Sequence, residues 1–173
     1  MPAYTNILRG GTSDLELQWL FNTAKNMNSI VEIGSFLGRS TVALLSGINP
    51  TGKVYAIDIF DENIYKSQRD PEYSEIYKKF VENTKDFKNL EIIKDKSCNA
   101  AIQLKNEKFD MIFIDGDHTY EAVKQDIEMW LPKTKKIICG HDYNAHYSSV
   151  ILAVKDVLGS VDVYENIWIK SIS

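Results

Sequence analysis

Two short polar stretches hold residue types that could carry out acid–base chemistry. Asp115, Asp117 and His118 follow one apolar run, and His141 with Asp142 follows another. Acid/base side chains this dense at the mouth of a buried strand are costly unless they are paired or coordinate something. Because an ordinary histidine has a pKa of about 6.5, His118 can take a proton near neutral pH. The first stretch therefore contains a side chain that could exchange a proton near neutral pH.

A third stretch, residues 34–40 (G-S-F-L-G-R-S), follows a β-branched run and opens a helical pattern. A strand, a glycine turn and a helix N-terminus predict a ligand cradle, in which the glycines let the backbone approach the ligand and free helical N–H groups face it. Glu32 lies two residues before Gly34. A carboxylate there disfavours an anion and favours a cationic or hydroxyl-rich ligand. The spacing Glu-x-Gly-Ser-x-x-Gly also differs from the Gly-x-Gly-x-x-Gly that wraps a pyrophosphate.

The elements that must position these residues alternate between strand and helix. Strands are predicted near residues 30–33, 53–58, 90–93, 109–115 and 136–139, with two closing strands at 161–164 and 167–172. Ser13 and Glu16 predict a capping box at the start of a first helix that ends near Lys25 or Met27. This alternation predicts an α/β fold with a mostly parallel sheet, whose strand ends share one ligand-binding edge. Asp58 ends the second strand, where a carboxylate can accept ribose hydroxyls or simply occupy a turn.

The polar stretches resemble a known family. E-I-G-S-F-L-G-R-S at residues 32–40 resembles motif I of the class I methyltransferases that use S-adenosylmethionine, in the form typical of small-molecule O-methyltransferases. I-D-G-D-H-T-Y at residues 114–120, with G-H-D-Y at 140–143, resembles the metal-dependent O-methyltransferases. The similarity is greatest to the branch with macrolide sugar methyltransferases and cephalosporin-hydroxylase-like proteins, methyltransferase domain family 24. It spans roughly residues 13–143.

The resemblance implies a Rossmann-like, seven-stranded sheet of order 3-2-1-4-5-7-6 with helices on both faces, and S-adenosylmethionine as cofactor. It implies two catalytic residues, His118 as general base and Asp115, which would help to hold a cation. The residues that would bind the cofactor are Glu32, Gly34, Ser35, Phe36, Gly38, Ser40, Asp58, Ile59, Asp95, Lys96, Ser97, Asp115 and His118. Among them, Ser97 has an equally good interpretation as a helix cap.

A divalent metal, Mg or Mn, is also implied, with Asp115, His141 and Asp142 as ligands. His141 stands where the family usually has Asp or Glu, and an imidazole shifts the preference from magnesium towards manganese, iron or nickel. The alternative is that His141 packs in the pocket and no metal binds.

The implied acceptor is a hydroxyl group on a small molecule, a sugar or a phenol. Residues 60–77 are the segment expected to cover it, with Tyr65 and Arg69 as contacts. For Tyr73 and Tyr77, packing of a helix on its neighbour is the better interpretation. Further contacts are expected from residues that follow the fifth strand, namely Tyr143, His146 and Tyr147.

Composition limits the remaining choices. The 173 residues predict a single domain (1–173) with a short N-terminal arm (1–12). A net charge of −4 argues against nucleic acid as a partner. Neither a signal peptide nor a membrane span is expected, and Cys98 and Cys139 are expected to be free, buried thiols. The expectation is a cytoplasmic monomer or homodimer.

Two other functions stay open. Tyr120-x-x-x-Lys124 has the spacing of short-chain dehydrogenases and would fit a nicotinamide (NAD) oxidoreductase, although the glycine pattern argues against it. The chain is also short for the family, with about a dozen residues before its first helix. A non-catalytic or degenerate S-adenosylmethionine-binding module is therefore the second alternative.

Overall fold

The computed structural model describes residues 10–63 and 75–172. The strands are β1 (Ser29–Ile33), β2 (Lys53–Asp58), β3 (Leu90–Lys94), β4 (Phe109–Ile114), β5 (Thr134–Gly140), β6 (Asp162–Tyr164) and β7 (Ile167–Ser171). The helices are α1 (Asp14–Ala24), α2 (Arg39–Gly47), α3 (Ile76–Thr84), α4 (Ser97–Gln103), α5 (Tyr120–Trp130) and α6 (Ser148–Leu158). Short 3-10 helices lie at Leu131–Lys133 and Ala145–Tyr147.

The strands form one sheet of order β3-β2-β1-β4-β5-β7-β6. Strands β1 to β5 pair in parallel, and β7 pairs antiparallel with both β5 and β6. All six residues of β4 are buried, which is typical of a central parallel strand covered on both faces. The predicted order and the two antiparallel closing strands are confirmed.

Helix α1 begins with the predicted capping box. The Glu16 N–H donates to Ser13 Oγ (3.3 Å), and the Ser13 N–H donates to Glu16 Oε2 (2.7 Å). The helix ends at Ala24, earlier than Met27. Its apolar side, which includes Leu17 and Leu20, is buried against α2 on one face of the sheet. Residue 13 thus fixes where α1 starts and which side chains face the core.

The opposite face of the sheet is covered by α4, α5 and α6. Ile127 and Trp130 of α5 pack there with Ala153 of α6, and Trp168 of β7 belongs to the same cluster. Burying one large apolar side chain stabilises the fold by roughly 1.5–3 kcal/mol. The two cores hold the sheet rigid, so that the loops at its carboxyl edge have a fixed base.

Some boundaries and environments differ from the sequence-based expectation. Strand β5 begins two residues earlier than expected, at Thr134, because Thr134 already pairs with Phe109 of β4. The side-chain nitrogens of Lys135 and Lys136 lie 3.9 and 3.3 Å from the Asp110 carboxylate. Cys139 is buried, but Cys98 is only half-buried; both are free. Within the described ranges, no helix has the length and apolar character to cross a bilayer.

Candidate active site

A cavity of about 580 Å³ opens at the carboxyl edge of the sheet. Its wall is made by the ends of β1, β4 and β5, the start of α2 and the segment before α1. The lining residues are Gly10, Gly11, Thr12, Gly34, Ser35, Phe36, Arg39, Ser40, Asp115, Gly116, His118, His141, Asp142 and Tyr147. Its volume is in the range of small-molecule sites. The cradle and the acid/base residues therefore face one space.

The two cradle glycines have positive φ angles, +86° at Gly34 and +90° at Gly38. A Cβ at Gly34 would lie 2.0 Å from the Asp115 carbonyl oxygen, and a Cβ at Gly38 would lie 3.3 Å from the Phe80 ring. The expected reason for these glycines was close approach to a ligand. That role stays a prediction, and the structure adds a second reason: the missing side chains let the chain pack against the loop after β4 and against α3.

Glu32 is completely buried in β1 and does not line the cavity. Its carboxylate accepts hydrogen bonds from the hydroxyls of Ser40 (2.6 Å) and Thr41, in the first turn of α2. Burial raises the pKa of the Glu32 carboxyl, and the two hydroxyls oppose that shift. Glu32 thus holds the first turn of α2 in place. Its link to the cavity is the hydrogen bond from Ser40, which lines the cavity.

Ser35 carries an unpaired polar atom at the cradle. Its Oγ is buried and makes no hydrogen bond of normal geometry among the described residues, although it lies near enough to Glu32 to affect the pKa of that carboxyl. A buried hydroxyl without a partner carries a desolvation cost of roughly 1–3 kcal/mol. Because Ser35 lines the cavity, a polar ligand group there would satisfy this hydroxyl.

Asp58, the candidate ribose acceptor, ends β2 as predicted but does not line the cavity. Its Oδ2 accepts the Phe36 N–H (2.8 Å) and its Oδ1 accepts the Phe60 N–H (2.6 Å). The carboxylate therefore ties the cradle to the end of β2, with a second lone pair on each oxygen left for a ligand. Ile59 is 39% exposed beside it.

Residues 95–97 lie at the start of α4, outside the cavity lining. The interpretation of Ser97 as helix cap is wrong, because the N-cap residue is Lys96. Asp95 Oδ1 instead accepts the Lys96 N–H (2.7 Å) and the Asn99 amide (2.8 Å), and Ser97 Oγ accepts the Trp130 indole N–H (2.8 Å).

His118 and Asp142 form a hydrogen-bonded pair. His118 Nε2 lies 2.8 Å from Asp142 Oδ2, and their side chains are 38% and 13% exposed. The bond to Asp142 raises the pKa of His118, against the effect of partial burial. Asp142 has a left-handed φ of +59°, a strained conformation of the kind found at functional sites. Since Nε2 is engaged, Nδ1 is the nitrogen that can accept a substrate proton.

His141 is buried behind this pair, in contact with three carboxylates. Its Nδ1 lies 3.3 Å from Asp142 Oδ1 and 3.7 Å from Asp115 Oδ1, and its Nε2 lies 3.1 Å from Glu16 Oε2. The Nε2 contact is an ion pair, since its angle does not suit a hydrogen bond. Burial works to lower the pKa of His141, but Asp142 and Glu16 outweigh it and raise this pKa to about 10.

The pKa values of Asp115 and Asp142 are shifted in opposite directions. Burial raises the pKa of Asp115 to about 7; the charge of His141 opposes this shift and that of Asp142 adds to it. Burial also works to raise the pKa of Asp142, but His118 and His141 hold it well below its usual range. Asp142 is therefore the ionised partner of the two histidines.

The metal implied at Asp115, His141 and Asp142 stays a prediction. His141 Nε2 faces the Glu16 carboxylate, as the outer nitrogen of a metal-ligating histidine does, and its Nδ1 faces the carboxylates of Asp142 and Asp115. Ligand atoms of Asp115, His118 and Asp142 do lie within 4.8 Å of one another. Binding there would break the His118–Asp142 hydrogen bond and occupy the expected base.

The expected acceptor contacts are dispersed. Tyr65 and Arg69 lie outside the described residues. His146 is exposed and Tyr143 half-buried, and neither lines the cavity, whereas Tyr147 does, with its ring 4.7 Å from that of His118.

The covering segment, residues 60–77, is described only at its ends. Phe60 is 5% exposed, and its ring centroid lies 5.1 Å from that of Tyr77. This contact agrees with the packing interpretation of Tyr77 and makes Phe60 a core residue.

Sequence reasoning missed two charged residues at the site. The sequence identified Glu16 only as part of the capping box of α1, and no residue pattern near Glu16 indicates its contact with His141. Arg39 lines the cavity beside Gly38. The sequence feature that could have identified it is a cationic residue directly after the glycine turn. Its Nε donates to the Thr12 carbonyl (3.0 Å) and its Nη2 to Asp14 Oδ1 (2.7 Å), which holds the segment before α1 against the cradle.

The dehydrogenase-like pair lies elsewhere. Tyr120 is on α5, outside the cavity lining, and its hydroxyl donates to Asp156 Oδ2 on α6 (2.8 Å). Lys124 Nζ lies 5.8 Å from the centroid of the Tyr120 ring. The Tyr120 hydroxyl therefore serves a contact between α5 and α6, and Lys124 lies one turn further along the same helix.

The sheet order and the cradle define a class I methyltransferase fold. A family model described as "Methyltransferase domain" matches residues 31–143, more than half of the chain. The chain belongs to this methyltransferase family and is a methyltransferase enzyme. No curated protein matches it in sequence.

Solved structures share the fold at low sequence identity. The O-methyltransferase from Bacillus cereus in complex with SAH is 17% identical with a TM-score of 0.67, over 97% of this chain and 84% of that chain. TomG from Streptomyces achromogenes, an O-methyltransferase solved with SAM, is 13% identical with a TM-score of 0.71, over 95% and 82%. CalS11, a TDP-rhamnose 3'-O-methyltransferase, is 13% identical with a TM-score of 0.65, over 91% and 77%.

Proposed function

We propose that the chain uses S-adenosylmethionine to methylate a hydroxyl group of a small molecule, a sugar or a phenol, with His118 as general base. One observation carries the proposal: the His118–Asp142 pair and the cradle with its unpaired Ser35 hydroxyl line the same cavity. Two of the structural neighbours, the O-methyltransferases from Bacillus cereus and Streptomyces achromogenes, are solved with SAH and SAM, which supports the same cofactor.

The chain's own residues would hold the cofactor at the cradle. Ser35 Oγ is available to a polar group of the ligand, and Ser40, fixed by Glu32, faces the same space. Asp58 is the proposed ribose contact through its remaining lone pairs. When bound, S-adenosylmethionine supplies the methyl group on a positively charged sulfur.

The acid–base step belongs to His118. An alcohol is a poor nucleophile until its proton leaves, and Nδ1 of His118 accepts that proton while Nε2 stays bound to Asp142. Asp142 fixes the orientation of the ring and stabilises its charged form. A divalent metal, if bound, would be held by Asp115, His141 and Asp142 and would lower the pKa of the acceptor hydroxyl.

The test compares His118→Ala with the unchanged protein, using S-adenosylmethionine, a panel of sugars and catechols, and mass-spectrometric detection of S-adenosylhomocysteine. We expect kcat to fall by roughly 10²–10⁴-fold, the usual contribution of a general base. The dissociation constant for S-adenosylhomocysteine should stay within about twofold, since the cradle is untouched.

The matched control is Tyr120→Phe, which removes a hydroxyl outside the cavity and should leave both quantities unchanged. An equal loss of turnover and cofactor binding in His118→Ala would make His118 a structural residue and contradict the proposal.

A further inference from the structure

Residues 10–12, which we call the strap, run along one side of the cavity just before α1. All three line the cavity. A Cβ at Gly10 would lie 3.0 Å from Arg39 Cδ, whereas the nearest atom to a Cβ at Gly11 would be His141 Cε1, at 4.0 Å. The strap therefore passes from the cradle, at the start of α2, to the acid/base residues that follow β5.

Arg39 holds the strap in this position. Its Nε donates to the Thr12 carbonyl (3.0 Å), and its Nη2 donates to Asp14 Oδ1 (2.7 Å). A hydrogen bond from a charged donor is stronger than one between neutral groups. The Arg39 side chain is 13% exposed and Thr12 is buried, so water competes weakly for the bond between them. The Asp14 side chain is 80% exposed, and an exposed ion pair contributes little. The bond to Thr12 is therefore the stronger attachment of the two.

The strap also packs directly on the aliphatic part of Arg39. A Cβ at Gly10 would lie 3.0 Å from Cδ and 3.3 Å from Cβ of Arg39, closer than side chains normally approach. The φ angle of Gly10, +154°, is one that residues with a side chain rarely adopt. Glycine at residue 10 therefore lets the backbone lie against Arg39, and a larger residue would separate the two.

The composition of the strap makes this attachment important. Two of its three residues are glycines, which lose more conformational freedom than other residues when they become ordered. If nothing held the strap, a ligand that contacts it would have to order it on binding, and the affinity would be lower. Because Arg39 orders residues 10–12 before any ligand arrives, this wall of the cavity is preorganised.

We propose that Arg39 is a positioning residue that fixes the strap as a preformed wall, and that the strap slows the dissociation of the ligand held at the cradle. The ligand part rests on the proposed function, with S-adenosylhomocysteine as the probe; the attachment of the strap does not. Arg39 acts through residues 10–12 and needs no contact of its own with the ligand. Changing either Arg39 or Gly10 should therefore weaken ligand binding in the same way.

The attachment is tested by NMR order parameters of the Gly11 and Thr12 amides in the ligand-free protein. In the unchanged chain they should have the value of rigid backbone, about 0.85. Arg39→Met keeps an aliphatic side chain beside Gly10 but removes the donors, so the order parameters should fall below about 0.6. Asp14→Asn is the matched control, because it removes only the exposed carboxylate and keeps the bond to Thr12. Order parameters that stay rigid in Arg39→Met, or that fall equally in Asp14→Asn, would overturn the proposal.

Ligand retention is tested by surface plasmon resonance with S-adenosylhomocysteine on the immobilised chain. Arg39→Met should raise Kd by roughly tenfold, mainly through faster dissociation, and Asp14→Asn should leave Kd within about twofold. Where turnover is measured, kcat at saturating substrate should fall less than Kd rises, since the His118–Asp142 pair is untouched. Gly10→Ala leaves the guanidinium intact and displaces the strap, so it should also raise Kd, by about threefold or more.

The two variants separate the proposal from its alternatives. A higher Kd in Arg39→Met with none in Gly10→Ala would overturn it, because Arg39 would then act on the ligand directly. A lower free energy of unfolding in Arg39→Met with an unchanged Kd would also overturn it, because the role of Arg39 would then be structural only. If the unchanged protein binds no S-adenosylhomocysteine, the proposed function and the retention of its cofactor fail together, while the order parameters still decide whether Arg39 holds the strap.

Discussion

Replacing Asp142 with Asn tests whether Asp142 raises the pKa of His118. The substitution keeps the shape of the side chain and removes the charge that faces His118 Nε2 at 2.8 Å. Asn tolerates the left-handed φ of +59° at this position, so the loop should keep its conformation. An Ala substitution would add backbone strain and confuse the result.

The size of the effect follows from the distance and the exposure. Opposite unit charges 2.8 Å apart interact by ~6 kcal/mol at an effective dielectric constant of about 20 and ~1.5 kcal/mol at about 80. Because 38% of the His118 side chain is exposed, screening by solvent favours the lower value. That value corresponds to about one pKa unit, so the pKa of His118 should fall by roughly that amount.

Two assays read this shift. The His118 midpoint, followed by NMR, should move about one pH unit downwards in Asp142→Asn. The rise of kcat/KM with pH, which reports loss of the proton from the base, should move with it, while the maximal rate falls because the ring is less well oriented. An unchanged or raised His118 midpoint would refute the pairing. A shifted midpoint with an unshifted rate profile would refute His118 as the base.

The other predictions concern stability, measured as the free energy of unfolding in urea. Gly34→Ala should lower the free energy of unfolding by ~4 kcal/mol or more, because the new Cβ would lie 2.0 Å from the Asp115 carbonyl oxygen. The control Gly159→Ala, at a similar φ of +68° but with open space around it, should lower it by only ~1–2 kcal/mol. Equal losses in the two variants would contradict this account. Burial raises the pKa of Asp126 to about 6 from the ordinary 3.8, so the fold loses stability as the pH rises from about 3.8 to about 6 and gains none back above that. Asp126→Asn should therefore add up to ~3 kcal/mol at about pH 8 and almost nothing near pH 4, and a pH-independent gain would contradict the cause.

The fold was predictable because its signals are local. The β-branched and apolar runs of β1 and β4 identify buried strands, and the capping box at Ser13 identifies the start of α1. The polar residues after each strand predicted one shared edge, and the structure brings Asp115, His118 and Asp142 together there.

Other features depend on packing between distant segments. The Glu16–His141 contact joins α1 to the end of β5, and no pattern near either residue indicates it. Gly34 is required by the Asp115 backbone, which reaches it only once β1 and β4 pair. Asp58 likewise finds its N–H partners only after the cradle folds onto the end of β2. Sequence identified residue types correctly and could not assign these partners.

Calorimetric titration of the purified chain with S-adenosylhomocysteine tests the central claim most directly, with NADH as the comparison ligand. The account predicts a saturable heat with one ligand per chain for S-adenosylhomocysteine and none for NADH. Absence of heat with S-adenosylhomocysteine, or a preference for NADH, would contradict it.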